Sequence, residues 1–189
     1  DSGGPMTQSR PETGLHRASL ASPVGTLLLS STGTAIVRVE WVDDSDLGAA
    51  QTAAGDTSGG SGADRDPLLA EALGQVGAYF DGRLGEFDLP LGLDGLSASA
   101  TTVLTVLTDT VPFGDTITYG ELAARTGTAI PARAIGTIMG LNPLPLLIPC
   151  HRVVAGDGLG GYSGGRRGEG LETKRRLLEM EGALPNPLF

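Results

Sequence analysis

Apolar and polar positions alternate in the first part of the chain and recur at helical spacing further on. Residues 15–21 and 26–30 flank Ser22-Pro23-Val24-Gly25, a turn-rich connection, and 35–42 alternates around the β-formers Ile36, Val37, Val39 and Trp41. Together they predict an antiparallel sheet. Residues 43–66 are rich in Gly, Ala, Ser, Thr and Asp and nearly free of bulky apolar side chains, which predicts a mobile loop. Pro67 opens a helix, with Leu69, Leu73, Val76 and Phe80 on one face and Asp81-Gly82 ending it. Residues 87–91 read as a short strand.

The second half is helical in period. A helix is predicted over 101–110. Thr118-Tyr119-Gly120-Glu121 has the form of a capping box, and the helix it starts should stop near Gly127. Pro131 opens a second helix that must close before Asn142-Pro143. On it Ala132, Ile135, Ile138 and Met139 share one face, and Arg133, Gly136, Thr137 and Gly140 share the opposite one. Two short helices joined by a Gly-containing turn make a helix-turn-helix whose outer face, small residues around one arginine, can approach a nucleic-acid groove closely. The apolar run 146–148 reads as a buried strand stopped by Pro149. A last helix from Leu171 places Leu171, Lys174, Leu177, Leu178 and Glu181 on one face, and a carboxylate among inward leucines requires partners.

These elements predict an α+β protein: a tail or remnant over 1–14, an N-terminal α/β domain over 15–92, a linker over 93–99 and a mainly helical domain over 100–189. The 189 residues are 40% hydrophobic, enough for a core, with no apolar run long enough to cross a membrane and no visible secretory signal. One cysteine excludes an internal disulfide and a cysteine-rich zinc site, and two distant histidines leave no metal site to predict. A reduced cytoplasmic thiol is the natural reading. The net charge of −9 argues against a general nucleic-acid binder. Its distribution qualifies that: 43–66 holds six aspartates and one arginine, whereas 125–176 holds eight basic residues against three acidic ones, so a local basic face is available.

The only cysteine, Cys150, stands between Pro149 and His151-Arg152. A thiol at the end of a buried run, with a histidine next to it and a cation that favours the thiolate, is a candidate nucleophile. His151 is the candidate base, acting through a water, and Glu181 the candidate orienter of the histidine.

Pro149-Cys150-His151-Arg152-Val153 resembles the active-site signature of the O6-alkylguanine-DNA alkyltransferases, with further matches at Asn142-Pro143 and Gly161-Tyr162-Ser163-Gly164-Gly165. The resemblance is specific from about 111 to 182 and weaker back to about 20. It implies a ribonuclease-H-like N-terminal domain, a helix-turn-helix that places its second helix in the minor groove of double-stranded DNA, and an active-site loop. By the same resemblance Cys150, His151 and Glu181 form a triad like that of a hydrolase. Arg133 would enter the duplex in place of the flipped nucleotide, with Ala132, Gly136 and Thr137 against the DNA, and Asn142 would be the hinge to the active-site loop. Tyr119 would crowd the target phosphate and bond the guanine ring. The carbonyls of Cys150 and Val153 and the Ser163 amide would read the base, with Tyr162 and Lys174 shaping the pocket.

The implied activity is single-turnover transfer of an alkyl group from O6-alkylguanine, and from O4-alkylthymine, to Cys150 by a monomer without cofactor. Two other readings accompany it. Damage-sensing relatives lack the cysteine that is present here, and a cysteine hydrolase would leave the helix-turn-helix unexplained. The chain departs from the family at Ser99 and Thr105, where Phe and Trp are usual, and at Gly140-Leu141, where a basic residue is common. It also inserts Arg166-Arg167-Gly168-Glu169-Gly170. That insertion is expected to form a basic flap over the alkyl pocket.

Overall fold

A computed structural model describes residues 14–52 and 62–184. Strands β1 (His16–Ser22), β2 (Gly25–Ser31) and β3 (Ile36–Val42) form an antiparallel meander in that order. Pro23 and Val24 make the first turn, and Gly25 takes a φ of 113° that a side chain would resist. β2 is the middle strand, and Leu27, Leu28 and Leu29 are all buried, so both of its faces are covered. The edge strand β3 is fastened outward: Val39 N–H donates to the Pro143 carbonyl at 3.0 Å, which ties the sheet to the segment leading into Cys150.

The strand expected over 87–91 is reduced to a single parallel bridge between Ile36 and Leu91, with Ile36 N–H donating to Pro90. Pro90 has no N–H to extend a ladder. Within the loop expected over 43–66, the described residues include a short helix and a 3₁₀ turn. Helix α1 (Leu47–Thr52) lies against β1, where Arg17 Nη1 donates to the Ala50 carbonyl at 3.1 Å. A 3₁₀ turn follows at Gly62–Asp64, so close to β1 that a Cβ on Gly62 would collide with the Arg17 backbone. Residues 53–61, like 1–13 and 185–189, lie outside the described residues.

Helix α2 (Pro67–Phe80) packs on the sheet. Asp66 caps it, accepting from Leu68 and Leu69 N–H at 2.9 and 3.1 Å, with Pro67 in the first turn. Gly82, at φ 73°, closes the far end with the Gly82→Tyr79 and Arg83→Ala78 backbone bonds of a Schellman motif. The buried stripe is Leu69, Ala72, Val76 and Tyr79. Phe80, expected inside, is only partly buried, and Tyr79 takes the inner place.

The C-terminal part starts at Ser97, which caps α3 (Ala98–Thr110), so the helix begins inside the expected linker. Ser99 and Thr105 face solvent, and the core contacts come from Ala100, Val103, Leu104 and Leu107. β4 (Ile117–Thr118) pairs in parallel with β5 (Val153–Val154) and leads into the helix-turn-helix of α4 (Tyr119–Arg125) and α5 (Ala132–Gly140). The capping box is formed: Glu121 N–H donates to the Thr118 hydroxyl, and Thr118 N–H donates to the Glu121 carboxylate. α6 (Gly170–Met180) closes the chain. The protein is thus α+β, a small sheet domain followed by a helical one. Among the described residues no helix is long and apolar enough to cross a membrane.

Candidate active site

The buried run 144–149 is a turn, where the sequence suggested a strand. Ile148 N–H reaches back to the Leu144 carbonyl, Leu146 has a φ of 75°, and the pairing is a lone bridge between Pro145 and Ile148. Pro143, Pro145 and Pro149 lack the N–H that a ladder needs, which works against a strand here. Asn142 holds the turn closed. Its amide donates to the Ile148 carbonyl at 3.1 Å and its Oδ1 accepts from Leu144 N–H at 2.9 Å. The chain then enters a 3₁₀ turn, Cys150–Arg152.

Cys150 is 5% exposed and lines a cavity of about 390 Å³ with Tyr119, Gly136, Met139, Gly140, Gly161, Tyr162 and Ser163. Burial pushes its thiol up to about 11, against the opposing pull of a hydrogen bond from Asn142 and the charge of Lys174. At neutral pH the group is a thiol, and it must lose a proton to act.

His151 and Glu181 are fully buried side chains, with His151 Nε2 2.7 Å from Glu181 Oε1. Burial pushes His151 below its usual range, with Arg152 and Lys174 acting the same way and Glu181 pulling back up. The ring is therefore neutral. Its Nε2 proton faces the carboxylate, which leaves Nδ1 as an acceptor, and Nδ1 is buried without a protein partner. That is the arrangement a general base requires.

Glu181 is the C-cap of α6, where the helix dipole disfavours a carboxylate. Burial also opposes its charge, yet hydrogen bonds from His151 and Arg152 outweigh both and hold it down at about 2. Arg152 donates from Nε to Oε2 at 2.9 Å and from Nη2 to Oε1 at 3.0 Å, and its Nη1 reaches the Val111 carbonyl. Sequence reasoning assigned this cation to the thiol. In the fold it is engaged by Glu181, and the cation felt by Cys150 is Lys174. A further donor was not foreseen: the Tyr79 hydroxyl, from α2, donates to Glu181 Oε1 at 2.7 Å.

Lys174 is fully buried, and its Nζ donates to the carbonyls of Val153 at 2.6 Å and Gly161 at 2.9 Å. It clamps the Cys150 turn to the opposite cavity wall. Burial pushes it down to about 8. The Val153 carbonyl, expected to read a base, thus already accepts one bond, and the Cys150 carbonyl accepts the Val153 N–H. Each keeps a second lone pair for a ligand. On α6 the inner face includes Thr173, whereas Leu171, expected inside, is 56% exposed.

Tyr119 opens α4 at the cavity mouth, hydrogen-bonded to the Gly161 backbone. Tyr162 forms the wall, its hydroxyl unpartnered and its ring edge-on to Trp41 at 6.2 Å. On α5 the side chains of Arg133, Thr137 and Ala132 are exposed together with Gly136, while Ile135, Ile138 and Met139 are buried. Ala132, assigned to the inner face from its spacing, stands on the outer one. Gly136 and Gly140 join this outer face to the cavity. The segment 166–170 does not cover the cavity. Arg166 lies beside Gly25 and Trp41, Arg176 Nη1 donates to the Pro23 carbonyl, and the segment turns directly into α6. Arg166 lies against the β1–β2 turn, and none of 166–170 lines the cavity that holds Cys150.

The buried network gives the fold a pH dependence of defined sign. Glu181 has a folded pKa of about 2 against an ordinary 4.5, so its contribution is full above about 4.5 and is lost as pH falls toward 2. His151, also depressed, acts in the same direction from its ordinary 6.5 downward. Urea unfolding at stepped pH is expected to show a stability loss of roughly 3 kcal/mol from Glu181 alone across the acid range.

Known proteins resemble this chain over most of its length. The family model described as 6-O-methylguanine DNA methyltransferase, ribonuclease-like domain, matches residues 15–93, and the DNA binding domain of the same family matches 99–183. The methylated-DNA--protein-cysteine methyltransferase of Mycobacterium leprae is 36% identical over 168 residues, covering 88% of this chain and 92% of its own. Its counterpart in Mycolicibacterium paratuberculosis is 38% identical over 161 residues, covering 85% and 88%. The crystal structure of Mycobacterium tuberculosis O6-methylguanine methyltransferase superposes with a TM-score of 0.70 at 33% identity, covering 92% of this chain and 97% of that one. The Mycobacterium tuberculosis protein solved in complex with DNA matches with the same TM-score at 34% identity, covering 89% and 93%.

Proposed function

We propose, because this chain belongs to the methylated-DNA–protein-cysteine methyltransferase family, that Cys150 is the acceptor of the alkyl group. The protein is a DNA-repair methyltransferase that acts by direct reversal of damage, and DNA is its partner. One observation carries the assignment to Cys150: it is the only thiol, and it lies between an acceptor-ready His151 and a cavity rimmed by the outer face of α5.

The chemistry follows from the groups present. His151 Nδ1 takes the thiol proton through a water, and the Glu181 carboxylate stabilises the imidazolium that results. The thiolate attacks the alkyl carbon in line. The S–C bond forms, the C–O6 bond breaks, and its electron pair returns to the guanine, which regains its keto oxygen and takes a ring proton from water while the His151 imidazolium gives the thiol proton back to water. The Ser163 amide and Tyr119 hydroxyl face the departing base. The thioether is stable, so each chain reacts once.

O6 cannot be reached inside a duplex, so the nucleotide is extruded first. In this reading a single chain lays α5 in the minor groove of double-stranded DNA, and Arg133 fills the space the base leaves. The small residues Ala132, Gly136 and Thr137 let the helix approach the backbone. Asn142 couples α5 to the Cys150 turn.

Replacing Arg133 tests the extrusion step. Arg133→Ala is expected to slow methyl transfer from duplex O6-methylguanine by at least about tenfold, because extrusion costs a few kcal/mol, and to leave transfer from free O6-benzylguanine nearly unchanged. Single-turnover rates on the two substrates decide it. Equal losses on both would assign Arg133 to stability or chemistry and remove it from extrusion.

A further inference from the structure

The Glu181 carboxylate has more partners than the orientation of one histidine requires. Oε1 is shared by His151 Nε2 at 2.7 Å, Arg152 Nη2 at 3.0 Å and the Tyr79 hydroxyl at 2.7 Å, and Oε2 accepts from Arg152 Nε. Two of these donors follow Cys150 directly in the chain. The third arrives from α2 of the sheet domain, 102 residues away. Tyr79 is 2% exposed, and its ring is fixed by Phe80, Phe87 and Phe113 at centroid distances of 5.1, 5.4 and 6.2 Å. The hydroxyl therefore has little freedom to bond elsewhere, and its bond to a buried carboxylate is of the strong, charge-assisted kind.

We propose that Tyr79 is a positioning residue for alkyl transfer: its hydroxyl locks Glu181 so that Oε1 faces His151 Nε2, which makes the sheet domain part of the thiol-activating apparatus. The inference rests on the alkyl-transfer reading. Arg152 alone grips both carboxylate oxygens and holds the plane of the group, but it does not set how much charge Oε1 presents to the imidazole. The tyrosine proton does. Without it Oε1 is a stronger acceptor, the imidazolium is favoured, and His151 stays protonated to higher pH, where it cannot serve as a base. The ionisable and charged groups acting on His151 are Glu181, Arg152 and Lys174, and those acting on Glu181 are Tyr79, His151, Arg152 and Tyr162. Changing the tyrosine to phenylalanine removes one donor and keeps the ring cluster.

The test is the pH profile of benzyl transfer from free O6-benzylguanine to Cys150, a substrate that needs no DNA. For Tyr79→Phe the acid limb is expected to move to higher pH and the rate near neutrality to fall about tenfold. A profile that superimposes on the wild type, or a loss fully explained by the unfolded fraction measured by circular dichroism, overturns the proposal. Should that variant not fold, 3-fluorotyrosine at position 79 keeps the shape with a stronger donor. It is expected to move the acid limb to lower pH, and an unmoved limb is then the contradicting result. Absence of transfer in the wild type would instead count against the alkyl-transfer reading itself.

Discussion

Cys150→Ala is expected to abolish alkyl transfer completely while DNA carrying O6-methylguanine still binds. The side chain lost is small and sits at a cavity wall, and the turn that presents it is held by Asn142, the Cys150 N–H to Ile148 carbonyl bond and Lys174, none of which needs the sulfur. The cost in stability should be modest, about 1 kcal/mol, as for removal of one small buried group. The proposed binding face, on α5, is untouched. Gel shifts with lesion-containing duplex, alongside a transfer assay, check both halves. Residual transfer in the variant would place the acceptor elsewhere.

Glu181→Gln is expected to have the largest effect on the fold. The substitution is nearly isosteric, yet it leaves the Arg152 guanidinium buried without a counter-charge and asks an amide to accept three donors on one oxygen. Removing one member of a buried ion pair costs about 3–5 kcal/mol. Urea denaturation should show that loss together with a flattened acid dependence, because the group that drives it is gone. In the folded fraction, transfer should fall on the order of 100-fold, the worth of a misplaced general base. A stability change below about 1 kcal/mol would mean that Arg152 finds water or another partner, and that the buried network is weaker than its geometry indicates.

Much of this site could be read from the chain because its signals are local. The capping box at Thr118, the helix stop at Gly127 and the Pro-Cys-His-Arg run are each set within a few residues. The outer face of α5 follows from helical period alone, apart from Ala132 at its first turn. What escaped reading depends on distance or on proline chemistry. Nothing near Tyr79 indicates Glu181, since the two lie 102 residues apart and meet only in the fold, and helical spacing favoured Phe80 for the interior. Arg152 lies two residues after Cys150, but a 3₁₀ turn swings its guanidinium to Glu181. The run 146–148 has strand composition, but Pro145 and Pro149 flank it and Leu146 turns at a φ of 75°. The segment 166–170 looked like a flexible flap because arginine and glycine are typical of loops. In the fold its Arg166 lies against Gly25 of the sheet domain.

The proposed reaction moves one alkyl group from damaged DNA to one thiol, with no turnover. Incubation with an excess of duplex containing O6-methylguanine, followed by intact-mass measurement and mapping of the peptide that contains Cys150, tests it most directly. The predicted result is the replacement of one hydrogen by one methyl group on every chain, located on Cys150, with repair stopping at one lesion per protein molecule. An unmodified protein after repair, continued turnover, or a methyl group on any other residue would contradict it.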